Sequence, residues 1–494
     1  MKNINKIFFM LLFLPTIVFA QYSGGSGRGA VSSALNGKHL TNWFNTAGNW
    51  STTGNWWDGT LPASTENANV AAAALVEGDY SYPMVNIASV GSVTITAGKS
   101  LTVERTLTNA AGNSGLIIKS DASGTGSLKH NTTGVPATIE RYISGNSSLT
   151  EFKYHQVAVP LESDALTASM FAGSYLYRFD VPSQDWIGLG SNGSTALDKN
   201  LGYLIYYPNN ATTYSFAGNL RNGSITLLSS AGALNNHFLV PNPYPSAIDW
   251  NALSGWTKTN LYDAIWIWNP VAKNYAAYGT EAGTNGATRY IPQGQAFFVR
   301  AEAAGASLAL NNDVRIHSNQ AFFKEGNDVL NLLRITANSN DCSDEVIVRF
   351  RSDASSLADD FDVAKMKGDD QAPQLSTLAG EELLSINSLP VSENQTIVTV
   401  NFETQFTGQV SFSASGLDSF ASSVGIYLSD ELTNQTINLR NQPVYLFSHN
   451  PENAAKRFKL VFGGTIGIEE QTNETGKLWI SSNRLYVYAP ELSG

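Results

Sequence analysis

The sequence predicts an all-β protein with three parts: a β-solenoid-like N-terminal module, a duplicated β unit and an antiparallel β-sandwich. Three observations predict it. Short alternating runs (VNI, SVTIT, SLTVE, GLIIKS, GSLKH) recur between Val85 and Leu128, each closed by Gly, Ser or Asn. Such runs are too short for helices and evenly punctuated, as stacked strands are. The middle of the chain then matches itself in order, and eight more alternating runs follow Phe322.

Composition agrees. Hydrophobic residues make up 43% and charged residues 14% of 494, so cores can form while the surface relies on Ser, Thr, Asn and Gly. The length allows several domains at roughly 100–200 residues each. A net charge of −11 leaves no basic stripe to displace counterions from phosphates, which excludes nucleic acid as a partner.

Residues 1–20 read as a cleavable signal peptide. Lys2 and Lys6 precede an apolar run from Ile7 to Phe19, and Val18-Phe19-Ala20 supplies the small-residue end. The run is short for a membrane span, which needs ~20 residues. No later stretch is long and apolar enough, so no span is expected in the mature chain. Residues 21–38 (from YSGGSGRG onward) form a flexible leader.

Residues 39–150 place Trp43, Trp50, Trp56 and Trp57 among turn residues before the short solenoid strands. The repeat comes next, as residues 151–235 and 236–318. Asp180 matches Asn269 and Trp186 matches Tyr275, both 89 residues apart (269 − 180 and 275 − 186). Gly202 matches Gly294 at 92 and His155 matches His237 at 82, so insertions fall in loops. In this alignment NPYPS (242–246) sits where a strand exits, because Pro243 and Pro245 cannot donate to a ladder. Residues 319–463 supply the sandwich, 464–476 a linker, and 477–494 the start of one more domain.

The motifs NPYPSAIDW, IWIWNPVAKNY, IPQGQAFFV, DEVIVRF, DDFDVAKM, YLFSH and RFKLVF, in this order, carry a resemblance. The chain resembles multidomain exported proteins of Bacteroidota that use the type IX secretion system. The resemblance implies the type IX machinery as a partner of the intact protein and the outer cell surface, or secretion, as its destination. KLWISSNRLYVYAPELSG resembles the first strands of the C-terminal sorting domain of such proteins. Only 18 residues follow Gly476 (494 − 476), so that domain is expected to be truncated and the signal not functional here.

Chemistry is sparse. The six histidines form no HxxxH or HxH pair, and no GxSxG elbow occurs. GLGSNG (188–193) fits GxGxxG, but a strand-like run follows where dinucleotide binding needs a helix. The single cysteine, Cys342, is flanked by acids that raise a thiol's pKa, so it reads as idle. No catalytic residue is assigned. Asp359, Asp360 and Asp362 are the candidate metal ligands, with calcium the ion such oxygens would hold and no other cofactor indicated. The competing reading is solvated turn residues paired with Lys365, Lys367 or Arg349.

Aromatics supply the candidate ligand platform: Trp186, Tyr206, Tyr207, Trp250 and Trp256, in a cluster that also holds Trp266, Trp268, Tyr275 and Tyr278. Flat rings on strands can stack on sugar faces or fill a core. In IWIW, alternation puts Trp266 and Trp268 on one face and Ile265 and Ile267 on the other, so burial on both faces is expected. The expected function is therefore non-catalytic: adhesion or structural display, with polysaccharide or another surface protein as partner. The alternative is an extracellular carbohydrate- or protein-degrading enzyme with a dispersed site, which a deep polar cleft with converging carboxylates would favour.

Overall fold

A computed structural model describes residues 41–147, 152–190, 193–279, 281–318, 330–392 and 394–463, plus the backbone of two strands near the C-terminus. The expected signal peptide, leader and linker lie outside the described residues. All that follows concerns the compact unit Leu40–Gly494. The chain is all-β, with a solenoid-like module of about four turns leading into antiparallel sheets.

The solenoid alternates between two parallel sheets. One stacks Thr41–Phe44, Asn67–Val70, Asp79–Ile87, Ser100–Asn109 and Ser127–His130. The other stacks Gly48–Asn49, Ala73–Val76, Ser92–Ile95, Leu116–Ile118 and Pro136–Ser144. Because side chains alternate, one side of every rung turns inward and like residues stack. Val76, Ile95, Ile118 and Ile139 are in register and fully buried or nearly so. Asn69, Asn86 and Thr108 form a polar ladder with bonds of 2.9 and 2.8 Å.

An open solenoid end exposes both apolar interior and unpaired strand edge. The Trp-rich stretch covers this one. Trp50 stacks on Phe44 with ring centroids 5.9 Å apart and donates its indole N–H to the Tyr82 hydroxyl at 2.9 Å. Trp56 packs edge-on to both Phe44 and Trp50 and donates to the Trp50 carbonyl at 2.9 Å.

Pro136–Ser144 is both the last rung and the start of the middle region, pairing antiparallel with Ala211–Asn219 over nine positions. Within that pair lies a four-stranded sheet in the order Tyr154–Val157, Tyr203–Tyr206, Tyr175–Asp180, Asp185–Gly188. The arrangement then recurs. Ile225–Ala231 pairs with Ala306–Leu310. A sheet ordered His237–Pro241, Ala296–Arg300, Ala264–Asn269, Asn274–Gly279 follows, extended by Ala282–Gly283. The two copies also bond each other reciprocally. Ala158 N–H donates to the Gly294 carbonyl and Gly202 N–H to the Leu239 carbonyl, each at 3.0 Å.

NPYPS is a buried corner at the end of His237–Pro241. The Asn242 amide donates to the carbonyls of Ser246, Ile291 and Pro292, at 2.9, 3.0 and 2.9 Å. The Pro245 carbonyl accepts from Leu128 N–H at 2.7 Å, tying the second copy to the last coil of the solenoid.

The third region is an eleven-stranded hydrogen-bonded sheet spanning Leu332 to Gly463. It folds over on itself. Phe412 and Phe447 lie on strands at one end of the order, while Phe402 and Phe458 come from the middle and the other end. Yet Phe447 and Phe458 rings meet at 4.8 Å and Phe402 and Phe412 at 5.3 Å, in one core. Pairing is antiparallel except between Cys342–Arg351 and Glu382–Pro390. This sheet also packs on the second copy, where Trp266 Nε1–H donates to the Ala364 carbonyl at 3.0 Å. The backbone of Lys477–Ser481 and Arg484–Tyr488 forms an antiparallel hairpin.

Candidate functional site

The second strands of the two copies each open a tight hairpin, and each hairpin carries one cross-strand aromatic pair. In the first copy Phe179 faces Trp186, with centroids 5.3 Å apart and edge-to-face. In the second, Trp268 faces Tyr275 at 5.2 Å with the same geometry. Both pairs converge on Phe298, whose centroid lies 4.8 Å from Phe179, 5.9 Å from Trp186 and 5.9 Å from Tyr275. Edge-to-face contacts of this kind fix ring orientation beyond what burial alone does.

Above this convergence lies a partly open cleft of about 280 Å³. Trp186, Trp268 and Tyr275 line it, joined by Phe152 and Tyr154, with Lys273, Lys367, Gly368 and Asp369 at the polar side. That is near the small end of ordinary ligand sites, which run roughly 300–1,000 Å³. Trp186 and Trp268 are half-buried and Phe152 is 45% exposed, so the rings are held by packing and still reach the cleft. Among the described residues the Trp268 indole N–H finds no hydrogen-bond partner. Burial raises the pKa of the Tyr154 phenol, with the neighbouring Tyr177 adding to the effect. Burial alone drives that of Tyr275 far up, so both phenols are neutral donors at physiological pH.

The polar side is clamped. The Asn274 amide donates to the Ser343 and Pro373 carbonyls at 2.8 and 2.9 Å, while its oxygen accepts from Gln374 Nε2 at 2.8 Å. Asp369 N–H donates to the Lys273 carbonyl at 3.0 Å. A Cβ on Gly368 would sit 2.4 Å from that same carbonyl, so only glycine lets the loop lie this close. Lys367 pairs with Glu403 at 2.5 Å, and Lys273 has no ion pair among the described residues. Lys273 also takes a left-handed backbone, φ 53°.

The residues singled out in the sequence are dispersed. Trp186 lines the cleft. Tyr206 is behind it, edge-on to Phe152 at 4.9 Å and bonded to the Asn146 carbonyl at 3.2 Å. Tyr207 packs against the core shared by the solenoid and the first copy. Trp250 is sealed in the second copy, with Lys258 Nζ 3.5 Å over its ring, and Trp256 packs on Trp250 while donating to the Asp249 carbonyl at 2.8 Å. IWIW divides by face. Ile265 and Ile267 join the second copy's own core, whereas Trp266 and Trp268 face the layer shared with the third region.

Asp359 and Asp362 hold their own loop. Asp359 accepts from Ser355 and Phe361 N–H, and Asp362 from Asp359 and Ser388 N–H, all within 2.9 Å. Burial pushes the Asp362 carboxyl up to about 6. Asp360 is exposed, and no group of three or more His, Cys, Asp or Glu able to hold a metal occurs among the described residues. At GLGSNG the strand ends at Gly188, and residues 191 and 192 lie outside the described residues. Composition did not single out Phe152, Tyr154 and Lys273. The repeat offset that matches Trp186 to Tyr275 was the signal that pointed towards the cleft.

Fold and site together define a solenoid-led, duplicated β-sheet protein with an aromatic cleft where the two copies meet the third region. The chain belongs to the family described as a domain of unknown function (DUF8693), whose family model matches residues 42–462. That span runs from the first solenoid strand into the last strand of the third region, so the three parts form one family unit. No curated protein and no solved structure matches the chain.

Proposed function

We propose that this is an exported, non-catalytic surface protein that binds polysaccharide in the aromatic cleft and serves adhesion or display. One observation carries the reading: Phe152, Tyr154, Trp186, Trp268 and Tyr275 converge on one cleft from three separated stretches. Ring faces fixed by cross-strand packing suit the apolar faces of sugar rings and need little reordering on binding. Asp369 is the one carboxylate among the lining residues. Glycoside hydrolysis ordinarily needs two, so binding without cleavage fits better than an enzyme. The signal-like residues 1–20 and the resemblance to type IX cargo support export to the outer surface, with the type IX machinery as the partner in transit.

The test is retention of the mature chain, from Gln21 onward, on insoluble polysaccharides, with released reducing sugar measured in parallel. Retention without release is expected, and Trp186→Ala with Trp268→Ala should cut it by about tenfold or more, at ~1–3 kcal/mol per stacked ring. Released sugar would overturn the non-catalytic reading. Failure of the unaltered chain to bind any polysaccharide would overturn the binding one.

A further inference from the structure

Resting on that reading, we propose that the cleft selects an acidic glycan, a uronate-bearing polysaccharide, and that the Lys273 ammonium reads its carboxylate. The two copies supply the comparison. Gln184 and Lys273 are equivalent, each just before the second strand of its hairpin, and their backbones match at φ 54° and 53°. Left-handed backbone disfavours both residue types and suits Gly or Asn, so each side chain calls for a separate reason.

Gln184 has a structural one. Its amide donates to the Val181 carbonyl at 2.7 Å and the His237 carbonyl at 3.3 Å, and its oxygen accepts from His237 N–H at 2.8 Å. Lys273 makes no side-chain hydrogen bond or ion pair among the described residues, although it is half-buried on the wall of the cleft. The other charges nearby are accounted for. Lys367 is neutralised by Glu403. Asp369 is exposed and accepts from Gln371 N–H at 2.9 Å, within its own loop.

An ammonium on the wall of this cleft, with no ion pair among the described residues, gains more from a carboxylate than from a neutral hydroxyl. The aromatic wall would hold the sugar face while Lys273 meets the acid group at its edge. The charge of −11 on the chain works against non-specific adsorption of a polyanion. Retention of a polyuronate would therefore report on the cleft.

The experiment compares oligogalacturonate with its methyl ester, which keeps the ring and removes the charge, by calorimetric titration of the mature chain. The variants are Lys273→Asn and Trp186→Ala. Asn suits the left-handed backbone, so Lys273→Asn should leave the melting temperature unchanged or raised. Uronate should bind the unaltered chain about tenfold tighter than the ester, the scale of one charge-assisted contact. Lys273→Asn should remove that preference and leave ester binding intact, and Trp186→Ala should weaken both. Equal binding of acid and ester, or a preference that survives Lys273→Asn, would overturn the acidic selectivity while glycan binding stands. If neither ligand binds and insoluble polysaccharides are not retained either, both readings fall together.

Discussion

Trp250 is 1% exposed with Lys258 over its ring, whereas Trp186 and Trp268 are half-buried on the wall of the cleft. Substitution should separate these roles. Trp250→Ala removes a fully packed indole and should cost about 3–5 kcal/mol, read as a lower urea midpoint. Trp268→Ala loses less packing and should cost clearly less, while lowering polysaccharide retention. Equal losses of stability would contradict the division. Nothing in the sequence distinguishes these residues, since all lie in aromatic-rich stretches between apolar runs. Burial depends on which sheet comes to rest over each ring, and strand alternation encodes only the face it points from. For that reason the sequence left Trp250 open to a sugar face or a core, and only the packing shows it sealed, with Trp256 half-buried against it.

Elements were more readable than residues, because strand order follows from local pattern. The solenoid rungs, the paired hairpins and the strands of the third region all show period-two alternation. The duplication was visible because Asp180/Asn269, Trp186/Tyr275, Gly202/Gly294 and His155/His237 keep their order in both copies. The outer pairing of Pro136–Ser144 with Ala211–Asn219 was not visible, since it joins strands more than sixty residues apart without shared motifs. The contact between copies was hidden too, and it depends on Gly202. A Cβ there would sit 2.4 Å from the Ala296 Cβ and 2.7 Å from Leu239 Cγ. Gly202→Val should therefore push the copies apart, costing roughly 1–3 kcal/mol or more. It should also weaken glycan binding by moving Trp186 away from Trp268. Gly54→Ala is the control, because a Cβ at Gly54 meets nothing within 4 Å. Similar melting temperatures for the two variants would refute the close approach.

At the scale of the whole molecule, four histidines lie where its parts join, His130 fully buried and His155, His237 and His317 half-buried. His130 ends the last solenoid strand of its sheet, and its carbonyl accepts from Arg315 at 2.5 Å. His155 and His237 lie on the first strands of the two inner sheets. His317 bridges back to the solenoid, its ring nitrogens 2.7 Å from the Ser127 hydroxyl and 2.8 Å from that of Thr102. Burial lowers all four to about 4. Unfolded histidine titrates near 6.5, so between about 6.5 and 4 the unfolded chain holds protons that the folded chain refuses. Stability must fall as pH drops through that window, by up to roughly 2–3 kcal/mol per histidine. Asp362 works the other way. Raised to about 6 by burial, it regains stability as pH falls from 6 towards its unfolded value near 4. At Asp430 burial pushes up, but bonds from Arg457, Tyr445 and Thr433 prevail and hold it at about 2, so it matters only at lower pH. Burial lowers His449 as well, so five histidines against Asp362 leave a net loss, and the melting temperature should be lower at pH 5 than at pH 7.5. His317→Gln, which keeps a donor and an acceptor for Ser127 and Thr102, should reduce the slope by one histidine's share. A melting temperature flat across this range would mean that these histidines take up protons without opening the junctions they occupy.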